Sequence, residues 1–184
     1  MILALDVSTS CIGYALFDES GDKLMELNYI KFGKGLSLFE KLDEFNRKIE
    51  FLKGSDIQHI VVEEALKKFA GKYSSAGTIA LLNAFNGMIS GSVYQTFGIE
   101  PIYYNVNTAR KTAFPTYKAK KQSSENKHQI WTLVRDREPH IVWKYGPRSA
   151  KLVVENYDMC DSYTIGLCHI NIMKEQQKAL KDNE

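Results

Sequence analysis

Three β-strand patterns follow one another at the start of this chain, before any helical pattern appears. They cover residues 2–7, 12–18 and 24–32, and short runs of small or polar residues separate each pattern from the next. The first two patterns are close together in the sequence, which predicts a hairpin of antiparallel strands. A chain that begins in this way is expected to place several neighbouring strands in one sheet.

Helical and strand patterns then alternate. Apolar residues at helical spacing predict an amphipathic helix over residues 36–52, and a short β-branched run predicts a buried parallel strand over residues 57–63. The remaining predicted elements are a helix over 76–97, a strand over 101–106, a helix from 109 capped by Asn107 and Thr108, a helix over 124–134, a basic hairpin over 141–154 and a helix from 157 to the mid-170s. This order predicts an α/β protein with three layers, in which helices flank a mixed central sheet.

The length of 184 residues allows a single domain with a sizeable core, which we expect to span residues 1–177, followed by a frayed tail over 178–184. Hydrophobic residues make up 44% of the chain and charged residues 25%, both ordinary for a globular protein, which argues against wholesale disorder. No apolar run reaches the roughly 18 residues of a membrane span, and the N-terminus has no signal-peptide pattern. We therefore expect an unprocessed cytoplasmic protein without a membrane partner.

Basic residues are concentrated between residues 105 and 151. This segment contains eleven Lys or Arg and three acids, so its net charge is +8 and that of the remaining chain is −6, although the whole chain carries only +2. Aromatic residues lie among the basic ones, namely Tyr117, Trp131, Trp143 and Tyr145. A basic surface with interleaved aromatics suits a polyanion, and nucleic acid is the commonest one. The alternative is a solvated surface with ion pairs along its helices.

A single carboxylate, Asp6, interrupts the apolar run of the first strand. An unpaired buried charge costs several kcal/mol, so a cationic side chain, backbone donors or a metal ion must compensate it. Further acids stand at the ends of later elements. Glu63 and Glu64 end the strand that begins at residue 57, and Asp158 and Asp161 lie three apart, on one face of the closing helix. These acids are candidates to converge on one site with Asp6.

Four converging carboxylates would repel one another strongly and need divalent cations beside them. Oxygen-only ligands favour Mg²⁺ or Mn²⁺ over zinc. The three cysteines (Cys11, Cys160 and Cys168), odd in number and in apolar surroundings, predict packed thiols rather than a zinc or disulfide framework. Two such ions about 4 Å apart support in-line attack of water on a phosphodiester, which is the chemistry that a basic surface could supply with substrate.

Each pair of acids also has a purely structural interpretation. Asp158 and Asp161 can stabilise the first turns of a helix through its dipole and free N–H groups. Glu63 and Glu64 can simply end a strand at the solvent. Side chains alternate along a strand, so only one of these two glutamates can face Asp6, and the spacing does not decide which.

Taken in order, several segments resemble the RuvC-type Holliday junction resolvases, a family of the RNase H-like superfamily. Residues 6–14 (DVSTSCIGY) resemble the opening of that family, in which a strand acid is followed by a small-residue turn and Gly-Tyr. Residues 60–63 (IVVE) are similar to its second acidic strand. The later matches are to its short helix after the fifth strand, its Lys-bearing helix on the DNA side and its closing D-x-x-D helix, at residues 107–111 (NTARK), 125–130 (ENKHQI) and 157–162 (YDMCDS).

The resemblance implies an RNase H-like fold and a homodimer that resolves four-way DNA junctions and related branched DNA by paired phosphodiester hydrolysis. It implies a site with two Mg²⁺ ions, for which Mn²⁺ substitutes, in which Asp6, Glu63, Asp158 and Asp161 are the catalytic metal ligands. It therefore favours Glu63 over Glu64. The side chains that it implies for DNA binding are Lys67, Lys68, Phe69, Lys72, Tyr73, Arg110, Lys111, Lys118, Lys120, Lys121 and Lys127.

Departures from the family pattern leave other functions open. Ser8 stands where the bacterial family usually has glycine, which points to a diverged, phage-encoded branch that acts in a bacterial or phage-infected cell. The same fold and metals could serve a nuclease for flaps, RNA–DNA hybrids or single strands, and a non-catalytic nucleic-acid-binding protein could retain the fold. An actin-like ATPase or sugar kinase is less favoured, because the chain has no second glycine-rich phosphate loop. His169 is a candidate general base, although a single His in an apolar helix is more often packed.

Overall fold

Five strands of one mixed sheet form the centre of the part of the chain that the computed structural model describes, which covers residues 1–65, 76–147 and 150–182. The strands are β1 (Ile2–Val7), β2 (Cys11–Phe17), β3 (Leu24–Lys31), β4 (His59–Glu63) and β5 (Ile102–Tyr104). Their spatial order is β3-β2-β1-β4-β5. The first three strands pair antiparallel, whereas β4 pairs parallel with β1 and β5 pairs parallel with β4. The sheet is thus mixed, as predicted.

Helices cover both faces of this sheet. They are α1 (Leu38–Lys48), α2 (Ala76–Phe97), α3 (Val106–Ala113), α4 (Ser123–Arg137) and α5 (Glu155–Lys181), with a 3-10 turn at Glu50–Leu52. Side chains alternate along β1, so Leu3 and Leu5 face α1 and α2, while Ile2 and Ala4 face α3, α4 and α5. The result is the three-layer α/β arrangement that the sequence predicts.

The helix α5 lies very close to the sheet at two glycines. A Cβ on Gly13 of β2 would overlap the carbonyl oxygen of Asp158. A Cβ on Gly166 of α5 would overlap the ring of Phe17 and lie 3.1 Å from the Cβ of Ala4. Glycine permits such a close approach because it has no side chain. The two contacts therefore set the position of α5 on β1 and β2.

Capping interactions move the start of two helices from the predicted positions. Ser37 and Glu40 form a capping box, in which the Ser37 hydroxyl accepts from the Glu40 N–H and the Glu40 carboxylate accepts from the Ser37 N–H. The helix α1 therefore begins at Leu38 rather than at residue 36. Asn105 caps α3 by accepting from the N–H of Asn107 at 3.0 Å, so α3 begins at residue 106 rather than at residue 109.

The prediction of a hairpin over residues 141–154 is wrong in its extent. In the described part of this segment it is reduced to one antiparallel bridge, between Tyr145 and Leu152. The fully buried side chain of Asn156 bonds both backbone groups of Lys144, donating to its carbonyl at 2.6 Å and accepting from its N–H at 3.4 Å. The Lys144 carbonyl also accepts from the Val153 N–H across the bridge at 3.2 Å, so this short turn is joined to the start of α5.

The helix α5 extends farther than predicted. It continues to Lys181, past the mid-170s and into residues that the sequence predicts to fray. Lys174 in this last part forms an ion pair with Asp22, in the turn between β2 and β3, at 2.6 Å. None of the helices in the described ranges combines the length and the apolar character that a membrane crossing needs.

Candidate metal centre and nucleic-acid interface

Asp6 and Glu63 lie side by side at the ends of β1 and β4. The two strands pair in parallel with Leu5 opposite Val62, which makes Asp6 and Glu63 the next residues of the ladder. The residues two positions earlier on both strands pack into the layer of α3, α4 and α5, so alternation places both carboxylates on that face. Of Glu63 and Glu64, it is therefore Glu63 that faces Asp6, and its side chain also forms a hydrogen bond with Asp6.

Asp158 reaches the same place from the helical layer, and Gly13 makes this approach possible. Gly13 lies opposite Asp6 in the β1–β2 ladder, and it lacks the Cβ that would overlap the Asp158 carbonyl. The first turn of α5 thus lies directly over the strand pair at Asp6. Asp161 follows three residues later on the same face of α5 and is only 5% exposed. Two strands and one helix therefore bring the four predicted acids into one region.

The carboxylates of Asp6, Glu63, Asp158 and Asp161 form an acidic cluster whose members influence one another electrostatically. Burial raises the pKa of Asp6 well above its usual value, and the negative charges of Glu63, Asp161 and Asp158 raise it further. Burial also raises the pKa of Glu63 to about 7, with a further contribution from Asp161. Burial likewise raises the pKa of Asp158. A cation among these groups would favour their charged forms.

Lys127, in the second turn of α4, faces the acidic cluster from the basic segment. Its positive charge acts to lower the pKa of Asp6, of Glu63 and of Asp158, against the effect of burial. The Lys127 side chain is half-buried, so it keeps some contact with solvent. Its position joins the acidic cluster to the basic surface, where the resemblance places a phosphate-binding lysine.

Arg110 contacts the acidic cluster and is not part of the exposed basic surface. Its Nη2 atom donates to Asp161 Oδ1 at 2.8 Å, and the residue is only 8% exposed. The pattern that could have indicated this is its place beside Ala109 and Ala113, which mark the buried face of α3. Arg110 therefore forms a buried ion pair, and its predicted phosphate contact stays a prediction. Its Nε atom has no hydrogen-bond partner among the described residues.

The donor chemistry of the acidic cluster fits a divalent cation. All of its donors are carboxylate oxygens, which suit Mg²⁺ or Mn²⁺. The three cysteines are unpaired and buried, as predicted, and burial raises the pKa of the Cys11 thiol, so a thiolate ligand is disfavoured. In the described ranges, no three His, Cys, Asp or Glu side chains are already gathered into a coordination shell. Asp161 is held by Arg110, so the carboxylates must draw together around an ion to bind it.

Exposed lysines line the connection between α3 and α4. The exposed members of the predicted DNA-binding set are Lys111, Lys118, Lys120 and Lys121. Asn126 of α4 holds this connection in place: its side chain donates to the Lys120 carbonyl at 2.9 Å and accepts from the Lys120 N–H at 2.7 Å and from the Tyr117 hydroxyl at 3.0 Å. Sequence reasoning missed Asn126, because an Asn within a helical pattern does not reveal which loop it bonds. The predicted residues outside the described part of the chain are Lys67, Lys68, Phe69, Lys72 and Tyr73.

His169 is a packed side chain at a distance from the acidic cluster. Its Nδ1 atom lies 2.8 Å from the Tyr104 hydroxyl, and its ring centroid lies 4.8 Å from that of His59. Burial and the neighbouring His59 lower the pKa of His169 to about 4. Along α5 it stands about 12 Å beyond Asp161, at about 1.5 Å per residue. This placement agrees with the packed interpretation rather than with a general base.

Comparison with solved structures identifies the fold. T. thermophilus RuvC in complex with a Holliday junction substrate is 14% identical to this chain, and the match covers 95% of this chain and 94% of that one with a TM-score of 0.65. A Thermus thermophilus RuvC structure is 15% identical, with 95% and 96% covered and a TM-score of 0.61. The yeast mitochondrial Holliday junction resolvase Ydc2 is 12% identical, with 92% and 77% covered and a TM-score of 0.57. No family model and no curated protein sequence matches the chain. The chain therefore has the RuvC-like fold, which confirms the predicted RNase H-like class.

Proposed function

We propose that this chain is a Mg²⁺-dependent endonuclease that resolves Holliday junctions and related branched DNA by paired phosphodiester hydrolysis. The observation that carries the proposal is the acidic cluster of Asp6, Glu63, Asp158 and Asp161, which lies beside a basic surface. The likeness in fold to T. thermophilus RuvC, which has been solved in complex with a Holliday junction substrate, supports the same class of substrate.

Two divalent ions held by the acidic cluster would activate water and stabilise the charge that develops on the phosphate. The chain itself provides the positions of the ligands. The β1–β4 ladder fixes Asp6 beside Glu63, and the close contact of α5 with Gly13 fixes Asp158 above them. Arg110 orients the carboxylate of Asp161 from the buried side of the cluster.

The lysines would bind and orient the DNA backbone. Lys127 lies next to the acidic cluster, so its charge would hold the phosphate that is to be cut. Lys118, Lys120 and Lys121 are exposed along the adjoining connection, where they would contact phosphates on either side. Such contacts set the position of the duplex but do not read its sequence.

Paired cuts require two acidic clusters in one assembly. We therefore propose that the chain acts as a homodimer with two-fold symmetry, since a symmetric junction presents two equivalent strands. Size-exclusion chromatography with light scattering measures the assembly mass, and a chain that remains monomeric on junction DNA would contradict this part of the proposal.

The cleavage test uses a labelled four-way junction, a flap, an RNA–DNA hybrid and a linear duplex, each with Mg²⁺ or with EDTA. We expect the wild-type chain to cut the junction at paired positions only with Mg²⁺, and Asp6→Asn to bind the junction without cutting it. Binding without cleavage in Mg²⁺ or Mn²⁺ contradicts the proposal and favours a non-catalytic nucleic-acid-binding protein. Equal cleavage of the other substrates retains the nuclease but contradicts its preference for junctions.

A further inference from the structure

A cavity of about 370 Å³ lies between α4, the start of α5 and the connection that joins them. Its volume falls in the range of about 300–1,000 Å³ that is typical of small-molecule sites. Aromatic rings form most of its lining. The residues of this aromatic slot are His128, Trp131, Tyr145, Ala150, Lys151, Leu152 and Tyr157.

Trp131 forms the fixed wall of the aromatic slot. It is only 7% exposed, Trp143 packs edge-on against it at 6.1 Å, and the Arg135 guanidinium lies 4.9 Å from its ring centroid. The His128 ring stacks on it at 5.1 Å with an angle of 35° between the planes. Tyr145, by contrast, is 51% exposed and offers an accessible ring. Trp131 is thus the fixed wall of the slot, and the exposed rings of His128 and Tyr145 are the ones that a flat ligand can contact.

The aromatic slot adjoins the acidic cluster along two helices. His128 directly follows Lys127 on α4, and Tyr157 directly precedes Asp158 on α5. Trp131 lies one helical turn after Lys127, which is about 6 Å along the axis. A phosphate bound at Lys127 therefore has a nucleotide of the same strand within reach of the slot.

We propose that the aromatic slot binds one unstacked nucleobase of the DNA substrate, next to the phosphodiester to be cut. This inference rests on the proposed function, and it adds a binding site for a base to the proposed contacts with DNA phosphates. Every base has a flat π-face that stacks on aromatic side chains, and the positive segment around the slot, with Lys151 exposed beside it, attracts the strand that carries the base. Bases at a branch point lose little when they unstack, because their neighbours are already disturbed.

The test combines a substitution in the aromatic slot with the removal of single bases from the junction. Affinity is measured in EDTA for four-way junctions in which the nucleotides around the crossover are made abasic one at a time. Loss of one stacked base typically weakens binding about 5- to 150-fold, so we expect Tyr145→Ala to have an effect of this size on the intact junction. When the abasic position is that of the base bound in the slot, Tyr145→Ala and the wild type should bind the junction with equal affinity. Of the two tryptophans of the chain, Trp131 lines the slot and Trp143 packs against it, so the quenching of their fluorescence by DNA should weaken when the base at that same position is removed.

Two further variants make the result interpretable. His128→Ala removes a second, exposed ring of the slot and should couple to the same abasic position. Phe51→Ala removes a ring that is 55% exposed in the 3-10 turn before β4, and it should bind every junction as the wild type does. If no abasic position couples to Tyr145→Ala or His128→Ala, the inference is wrong even when the junction is cut. Coupling without Mg²⁺-dependent cleavage keeps the inference and contradicts the proposed function.

Discussion

The carbonyl oxygen of Asp158 occupies the space that a Cβ on Gly13 would need. Gly13 is part of β2 and lies opposite Asp6, so the missing side chain sets the distance between α5 and the strand pair at the acidic cluster. A glycine within a strand usually weakens it, because nothing packs there. In this chain the same absence lets a helix backbone, and with it Asp158, reach the sheet.

Gly13→Ala should therefore destabilise the protein and disturb the acidic cluster together. The new methyl group meets backbone atoms, which cannot rotate away, so we expect a loss of about 1–3 kcal/mol or more in the free energy of unfolding. Thermal denaturation measures this loss, and the increase in Tm on adding Mg²⁺ should shrink as well. Gly91→Ala in α2 is the matched control, because a Cβ there meets no described atom within 4 Å and should stabilise the helix by up to about 1 kcal/mol. Equal stability of Gly13→Ala and the wild type would contradict this account.

Arg110→Met should destabilise the protein because it leaves the Asp161 carboxylate buried without its partner. Breaking one side of a buried ion pair typically costs about 3–5 kcal/mol, which corresponds to roughly 6–20 °C in Tm for a chain of this size. Lys111→Met, at the exposed neighbouring position, should leave Tm unchanged. The double variant Arg110→Met with Asp161→Asn should recover part of the loss, since neither charge then remains. Additive losses in the double variant would show that the pair contributes nothing specific.

Glu63 should make the metal-free protein less stable as the pH rises from about 5 to about 7.5. Burial and Asp161 raise the pKa of Glu63 from 4.5 to about 7, so between these values the folded chain keeps a proton that the unfolded chain has released. The Glu63 contribution to the free energy of unfolding therefore falls through this window, on the order of 2 kcal/mol or roughly 4–8 °C in Tm. Asp6, whose pKa is also raised, acts in the same direction. His169, whose pKa is lowered to about 4, acts in the opposite direction below about pH 6.5, so the Glu63 contribution is measured as the difference between the wild type and a variant without this carboxyl group. Thermal melts in EDTA across this pH range measure the slope.

Two glutamine variants separate Glu63 from the general charge of the protein. Glu63→Gln is neutral at every pH, so its Tm relative to the wild type should rise from about pH 5 to about pH 7.5 and should exceed that of the wild type above pH ~7 in EDTA. Glu175→Gln, an exposed position of α5, should keep the wild-type slope. A wild-type slope in Glu63→Gln would show that the buried proton is not on this residue.

Lys120→Ala combined with Lys121→Ala should weaken binding to junctions, flaps and linear duplexes by a similar factor. Phosphate contacts are independent of sequence and shape, and each contact adds about 0.9 to the slope of log affinity against log salt concentration, so the slope should fall by about 2. Lys178→Ala with Lys181→Ala removes the same charge at the far end of α5 and should leave the slope unchanged. Fluorescence anisotropy at several salt concentrations measures both pairs, and identical slopes would mean that Lys120 and Lys121 face only solvent.

Asp6 could be predicted to lie near the Glu63 and Glu64 pair because both depend on local patterns. Asp6 lies near the end of one short apolar strand and the two glutamates end another, and the ends of parallel strands meet at one edge of a sheet. The residue interval between Asp158 and Asp161 likewise places both on one helix face without any knowledge of the fold. The strands and most of the helices follow from the same kind of periodicity.

The contacts that complete the site could not be predicted, because they join residues far apart in the sequence. Arg110 and Asp161 are 51 residues apart. In the sequence Arg110 stands beside a basic loop, so it is predicted to be part of a DNA-binding surface. Gly13 in a strand gives no sign of the helix that will cover it. The register of β1 against β4 decides which glutamate faces Asp6, and register depends on the packed sheet rather than on spacing alone.

Asp158 and Gly166 belong to one uninterrupted helix, and both hold it close to the sheet: the Asp158 backbone lies against Gly13, and Gly166 lies against the side chains of Phe17 and Ala4. The stretch of α5 between them therefore has a fixed length. Deleting or inserting one residue there would turn Asp158 by about 100° relative to Gly166, so the two close contacts with the sheet would no longer form together. An exposed surface connection, such as the turn between β3 and α1, should tolerate a change of length that the span from Asp158 to Gly166 does not.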